Sequence, residues 1–186
     1  MNGLERNGGR IGLSLQGICG VRWIQCNHPS DMRRKDRQVV GIKEMEKIIS
    51  RCQVCHLALS DPHGHPYAVA LNFGYQPGSP PVLYFHCAKE GKKLDLIRAN
   101  PRAAFIIDRA LELITGPLAC DWGMNYESVM GTGVITIVTD PEERRRGLDL
   151  ILAHYGNSSP AYLPASLEDT RVLKLTLTEM TGKRKG

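Results

Sequence analysis

Two stretches of this chain carry residue types that could do chemistry. The first is His86-Cys87, followed by Gly91-Lys92-Lys93. An apolar run, Val82 to Phe85, precedes it. Leu94 and Ile97 follow at helical spacing, and Asn100-Pro101 is a stop signal. A strand that feeds a helix through a glycine turn leaves free backbone N–H groups at the helix start. Two lysines beside those donors make a cradle for an anion such as a phosphate group. The alternative is a solvated lysine pair opening an amphipathic helix. His86, at the strand end, suits a general acid or base or a phosphate donor, and equally a strand-end imidazole satisfied by the backbone.

The second stretch, Cys52-Gln53-Val54-Cys55-His56, spells C-x-x-C-H, the attachment pattern of a c-type haem. Three other readings stand beside covalent haem. One is a dithiol redox pair, one is a zinc site that lacks a second ligand pair, and one is a pair of buried structural thiols. The last fits a helix-to-strand junction best. His63 and His65 flank a turn glycine and are expected in solvent. Asp108, Asp121 and Glu127 are scattered and form no recognisable carboxylate pair. Nucleophile-elbow, dinucleotide and P-loop motifs are all missing, so nothing supports those chemistries.

The elements that must position these residues can be read from periodicity. Ile42 to Arg51 reads as a helix with Ile42, Met45, Ile48 and Ile49 on one face. Val54 to Ser60 and Pro66 to Tyr75 read as two strands of a hairpin. They are joined by Asp61-Pro62-His63-Gly64, where Pro presets φ and Gly frees the fourth position. Arg102 to Asp108 is a short strand, residues 110–125 a long loop, and Tyr126 to Thr139 a long strand with Gly131 and Gly133 as bulge or bend points. Asp140-Pro141 caps a helix that runs to about Tyr155. Arg171 to Met180 alternates as a half-buried strand. Six mostly antiparallel strands with three main helices predict a mainly β protein, a small closed or split barrel with helices outside.

The chain has 186 residues, 42% of them hydrophobic and 23% charged, which suits one soluble domain. Its net charge is +5, but acidic residues interrupt the basic runs and no basic stripe is interleaved with aromatics. Nucleic acid is therefore not the expected partner. No run approaches the roughly 20 apolar residues of a membrane span. Glu5 and the lack of a small-residue cleavage site argue against a secretory leader, so a cytoplasmic location with reduced thiols is expected. Residues 1–31 are Gly-rich and aperiodic and read as a disordered extension. Residues 32–186 form the folded unit, with Met32 as a candidate start.

Taken in order, MRRKDRQV, the hairpin carrying PYAVALNFGY, the block LYFHCAKEGKKLDLIRANPRAAF, the strand YESVMGTGVITIV and the closing LTEMTGK resemble a known family. It is the nitroimidazole-resistance (Nim-type) branch of the pyridoxamine 5′-phosphate oxidase-like FMN-binding proteins. The resemblance covers about residues 32–183. It implies a six-stranded split β-barrel that forms a homodimer, with FMN in a cleft between two subunits. Residues Tyr67, Ala68, Val69, Ala70, Leu71 and Asn72 would then run along the flavin, with Ala68 to Leu71 nearest the ring. His86, Cys87, Lys92 and Lys93 would hold the phosphate. Tyr126 and Ser128 would reach the flavin from the partner subunit, and Lys183 would approach the ligand. The oxidases carry Ser-Arg-Lys at the phosphate turn where this chain has Gly91-Lys92-Lys93, so charge is kept while a hydroxyl and a guanidinium fork are lost. The C-terminal substrate residues of the oxidases have no match here. The implied activity is therefore electron transfer from flavin to a small substrate such as a nitroimidazole or another nitroaromatic, with His86 the first acid/base candidate. The alternative is a non-catalytic carrier or sensor of flavin or haem.

Overall fold

A computed structural model describes residues 33–158 and 160–186. The extension expected over residues 1–31, and the start expected at Met32, lie outside the described residues. Six long strands and two short ones are described: β1 (Gln38–Val39), β2 (Cys55–Ser60), β3 (Pro66–Leu71), β4 (Phe73–Gln76), β5 (Val82–Ala88), β6 (Arg102–Ile114), β7 (Gly123–Ile137) and β8 (Thr170–Lys185). The helices are α1 (Ile42–Ile49), α2 (Lys92–Ala99), α3 (Pro141–His154) and the short α4 (Pro164–Asp169). None among the described residues is long and apolar enough to cross a membrane.

All strand pairs are antiparallel, in the order β3-β2-β6-β7-β8-β5-β4, with β1 added on β8. The two ends of that path, β3 and β4, are consecutive in the chain. The barrel therefore closes through the covalent link at Asn72, not through a ladder between β3 and β4, which is the split. Sequence periodicity predicts one strand from Pro66 to Tyr75, but the structure divides it there. Both halves are extended, so the break leaves the alternation almost intact. At the corner the Phe73 N–H donates to the Tyr155 hydroxyl at 3.3 Å, replacing a strand partner.

Local chemistry accounts for the connections. Asp61 Oδ1 accepts from the N–H groups of His63 and His65 at 2.8 and 2.9 Å, and Gly64 takes φ +87° to close the β2–β3 turn. His63 and His65 are exposed, as expected. Asp140 caps α3 by accepting the Glu143 N–H at 2.7 Å. Gly91 precedes α2 at φ +139°, a conformation that side chains disfavour.

Residues 110–125 are not a long loop. Half of them, 110–114 and 123–125, belong to a hairpin arm of β6 and β7, joined through residues 115–122, with Leu111 as an extra residue between the Ala110 and Glu112 pairings. The arm exposes Leu111, Leu113, Leu118, Trp122 and Met124, so its alternation does not read as half-buried. At Gly131 and Gly133 there is an irregularity, but the extra residue is Thr178 on β8. The glycines instead let β8 approach: a Cβ on Gly131 would strike the Glu179 carbonyl, and one on Gly133 the Thr176 carbonyl.

The barrel interior is filled by Leu57, Phe73, Leu83, Phe85, Ile107, Leu173 and Leu175 and is capped by Met45, Ile48 and Ile49 of α1. Ile42, expected on that face, is exposed. A second core lies between α3 and the outer side of β5 and β8, built on Val82, Tyr84, Leu148, Ile151 and Val172.

Candidate functional site

Strand β3 ends the sheet path, so one of its edges has no strand partner among the described residues. Its backbone N–H and C=O groups on that side are open to a ligand. Its side chains alternate: Tyr67, Val69 and Leu71 pack on the barrel core, while Ala68 and Ala70 are exposed, as is Asn72 just beyond the strand. The β5–α2 turn meets this strand, for the Lys92 Nζ stands 5.2 Å from the centroid of the Tyr67 ring.

Cys87 faces the barrel side of β5, packed partly against the core and paired in register with Arg171 of β8. Burial pushes its thiol pKa up, against the opposing pull of Lys93 and Arg171. Lys92 stands against β3, and Lys93 and Arg171 lie near Cys87, so three cations line this end of β5; Arg171 Nη1 also donates to the Glu168 carbonyl at 3.2 Å. Arg171 is a residue sequence reasoning missed. It opens a half-buried strand, and only the β5–β8 register shows that it lies beside Cys87. His86 is exposed on the opposite face of β5, in register with Val172.

Tyr126 and Ser128 lie elsewhere. They pair with Ala110 and Asp108 on β6, and Ser128 is nearly buried. From β3 to β7 is three strand spacings, about 14 Å across the sheet. Within one chain the structure therefore brings together Tyr67, Cys87, Lys92 and Lys93, but not Tyr126 or Ser128. Lys183, across from Ser128 on β8, lies with the latter pair.

The outer face between these groups carries a row of small residues beside a row of larger ones. Ala68, Ala58, Ala104 and Thr132 run in register across β3, β2, β6 and β7, and Ala70, His56, Ile106 and Met130 form the next row. A groove of about 660 Å³ opens on this face, with Ala58, Ala104, Val134 and Thr178 among its walls. His56 Nδ1 stands 3.6 Å from Asp108 Oδ1, both half-exposed.

The C-x-x-C-H stretch does not present its sulfurs. Cys52 is 1% exposed and Cys55 fully buried. Burial raises the Cys52 thiol to about 11 and Cys55 still further. His56, on the alternate face of β2, points away from both. Thiols so placed are structural and do not suit covalent attachment of haem.

A second unforeseen feature is Glu127, 3% exposed. Arg51 Nη1 donates to its two oxygens at 3.2 and 3.4 Å, Arg109 Nε to Oε2 at 3.1 Å and Arg184 Nε to Oε1 at 2.9 Å. No sequence signal links positions 51, 109, 127 and 184; the three-strand register and the end of α1 do.

Comparison with known proteins places this geometry. A family model described as pyridoxamine 5′-phosphate oxidase matches residues 42–184. A candidate 5-nitroimidazole antibiotic resistance protein from Bacteroides thetaiotaomicron is 29% identical, with a TM-score of 0.68 over 78% of this chain and 85% of that one. The flavocytochrome Anf3 of Azotobacter vinelandii shares the fold at 15% identity, with a TM-score of 0.69 over 83% and 72% of the two chains. An FAD- and haem-binding protein of Mycobacterium smegmatis does so at 17% identity, with a TM-score of 0.67 over 80% and 73%. No curated protein matches the chain.

Proposed function

The chain belongs to the pyridoxamine 5′-phosphate oxidase family, and from that premise we propose that it binds FMN and serves as a flavin-dependent oxidoreductase for a small nitroaromatic substrate. One observation carries the reading: three cations, Lys92, Lys93 and Arg171, gather at the mouth beside an edge strand whose backbone is unpaired. A phosphate monoester needs the first of these and a flavin's pyrimidine edge, with its alternating donors and acceptors, needs the second. The residues present fit the group.

In this reading Lys92, Lys93 and Arg171 hold the phosphate, and the free edge of β3 from Ala68 to Leu71 orients the ring. Val69 and Leu71 keep that strand rigid through their packing on the core. A bound flavin would supply the two-electron redox chemistry between a reductant and the substrate. The protein contributes binding, orientation and exclusion of water. A second copy of the chain covers the alanine-rich outer face and the apolar β6–β7 arm and brings Tyr126 and Ser128 to the ligand. The homodimer, like a cytoplasmic location, is part of the proposal.

The test is anaerobic turnover. The FMN-loaded chain, reduced chemically, should be reoxidised by a 5-nitroimidazole faster than free reduced FMN at the same concentration. Reoxidation no faster than free flavin removes the enzyme reading. FMN uptake without that acceleration favours the second reading, a flavin carrier or sensor. The position of His86, on the opposite face of β5 from Cys87, speaks for that alternative. Haem is the lesser cofactor candidate, and the burial of Cys52 and Cys55 restricts it to non-covalent binding.

A further inference from the structure

The Glu127 cluster carries more positive charge than its carboxylate can neutralise. One guanidinium balances one buried carboxylate, yet three converge here, each within 3.2 Å. Glu44 senses Arg184 and Arg51, but its carboxylate is held by Lys47 at 2.6 Å. Asp108 also reaches this neighbourhood, from the other face of β6 where it stands 3.6 Å from His56. Four cations, Arg51, Arg109, Arg184 and Lys47, therefore face three carboxylates, Glu127, Glu44 and Asp108, and positive charge is left in excess. Arg109 and Arg184 both spend their Nε–H on Glu127. Each keeps the terminal N–H groups of a planar fork free for a second acceptor. The three side chains are 37–43% exposed, so those donors reach solvent.

We propose that Arg51, Arg109 and Arg184 form an oxyanion seat for a phosphate group, free or carried by a small molecule, with Glu127 as the buried post that fixes all three guanidinium groups. An excess of positive charge and two spare forks match a tetrahedral oxyanion with several acceptor oxygens better than a single carboxylate. Within one chain the seat is separate from the Lys92–Lys93–Arg171 mouth. Arg171 and Arg184 stand near opposite ends of β8, on the order of 40 Å apart along the strand. The proposal does not rest on the flavin reading.

The experiment follows the arginine Nε–H signals of the full-length protein by NMR. Inorganic phosphate and phenyl phosphate are added at constant ionic strength, with chloride as the control. The Lys92→Ala/Lys93→Ala variant serves as background, so that the other cationic mouth does not contribute. Saturable shifts of the Arg109 and Arg184 signals are expected, with a dissociation constant of about 1 mM or below. They should be lost in Arg184→Gln and weakened about tenfold in Arg184→Lys, which keeps the charge but not the fork. Saturation by phosphate assigns a free anion, and saturation by phenyl phosphate alone assigns a carried one. Linear, non-saturating shifts with both anions, or saturation that survives Arg184→Gln unchanged, would overturn the proposal. Should Arg184→Gln fail to fold, the Arg184→Lys comparison decides.

Discussion

Replacing Lys92 and Lys93 together by alanine should separate FMN from riboflavin. The two ligands share the ring and ribityl chain and differ by the phosphate alone. A charge-assisted contact is worth roughly 1.5–3 kcal/mol. Lys92 is exposed and belongs at the low end, about 1.5 kcal/mol, whereas half-buried Lys93 is less screened, at about 2–3 kcal/mol. The pair then accounts for about 3.5–4.5 kcal/mol, a roughly 300- to 2,000-fold loss of FMN affinity at about 1.4 kcal/mol per decade. Arg171 remains and sets the floor. Riboflavin affinity should change by no more than about threefold, the part that Lys92 contributes by holding the Tyr67 ring. The assay is quenching of flavin fluorescence at low salt, repeated at higher ionic strength, where FMN binding by the unmodified chain should weaken more than that of the variant. Equal losses for both ligands would refute the assignment of these lysines to phosphate.

Other expectations follow from the packing. Glu127→Gln should destabilise the fold by about 2–3 kcal/mol in urea unfolding, below the usual cost of breaking a fully buried pair because the arginines can turn to water; a loss under about 0.5 kcal/mol would mean the cluster is not structural. Lys174 and the Tyr84 hydroxyl hold Glu143 below its ordinary carboxyl range near 4.5. This depressed group adds stability above that value and loses it as pH falls through its folded pKa. Lys174→Met should therefore flatten the stability profile on the acid side of neutrality. A thiol reagent should modify exposed Cys120 well before Cys52 or Cys55 in the native protein, read by mass spectrometry. Gly131→Ala should cost several kcal/mol or prevent folding, since its Cβ meets the Glu179 backbone.

The parts of the fold legible in the sequence are those whose cause is local. Asp61 through Gly64 carries its own turn chemistry, Asp140 its own cap, and the α1 face its own period; each appears within a residue or two of where pattern places it. What stayed hidden is set by distant strands. The break at Asn72 leaves extended residues on both sides, and what distinguishes them is that one half pairs with β2 and the other with β5. Leu111, Leu113 and Trp122 look like loop residues because their arm carries apolar side chains without a covering layer in one chain. The candidate site divides in the same way. Gly91-Lys92-Lys93 could be read as an anion cradle from the strand-turn-helix around it, but Arg171 joins it through register alone, and Glu127 draws its partners from three separate elements.

The central claim is that this mouth recognises the phosphate of a flavin, and the most direct measurement is the affinity of the unmodified chain for FMN against riboflavin under identical buffer and salt. With three cations at the mouth, the account predicts that FMN binds at least about 300-fold more tightly. Equal affinity for the two, or no uptake of either, would contradict it.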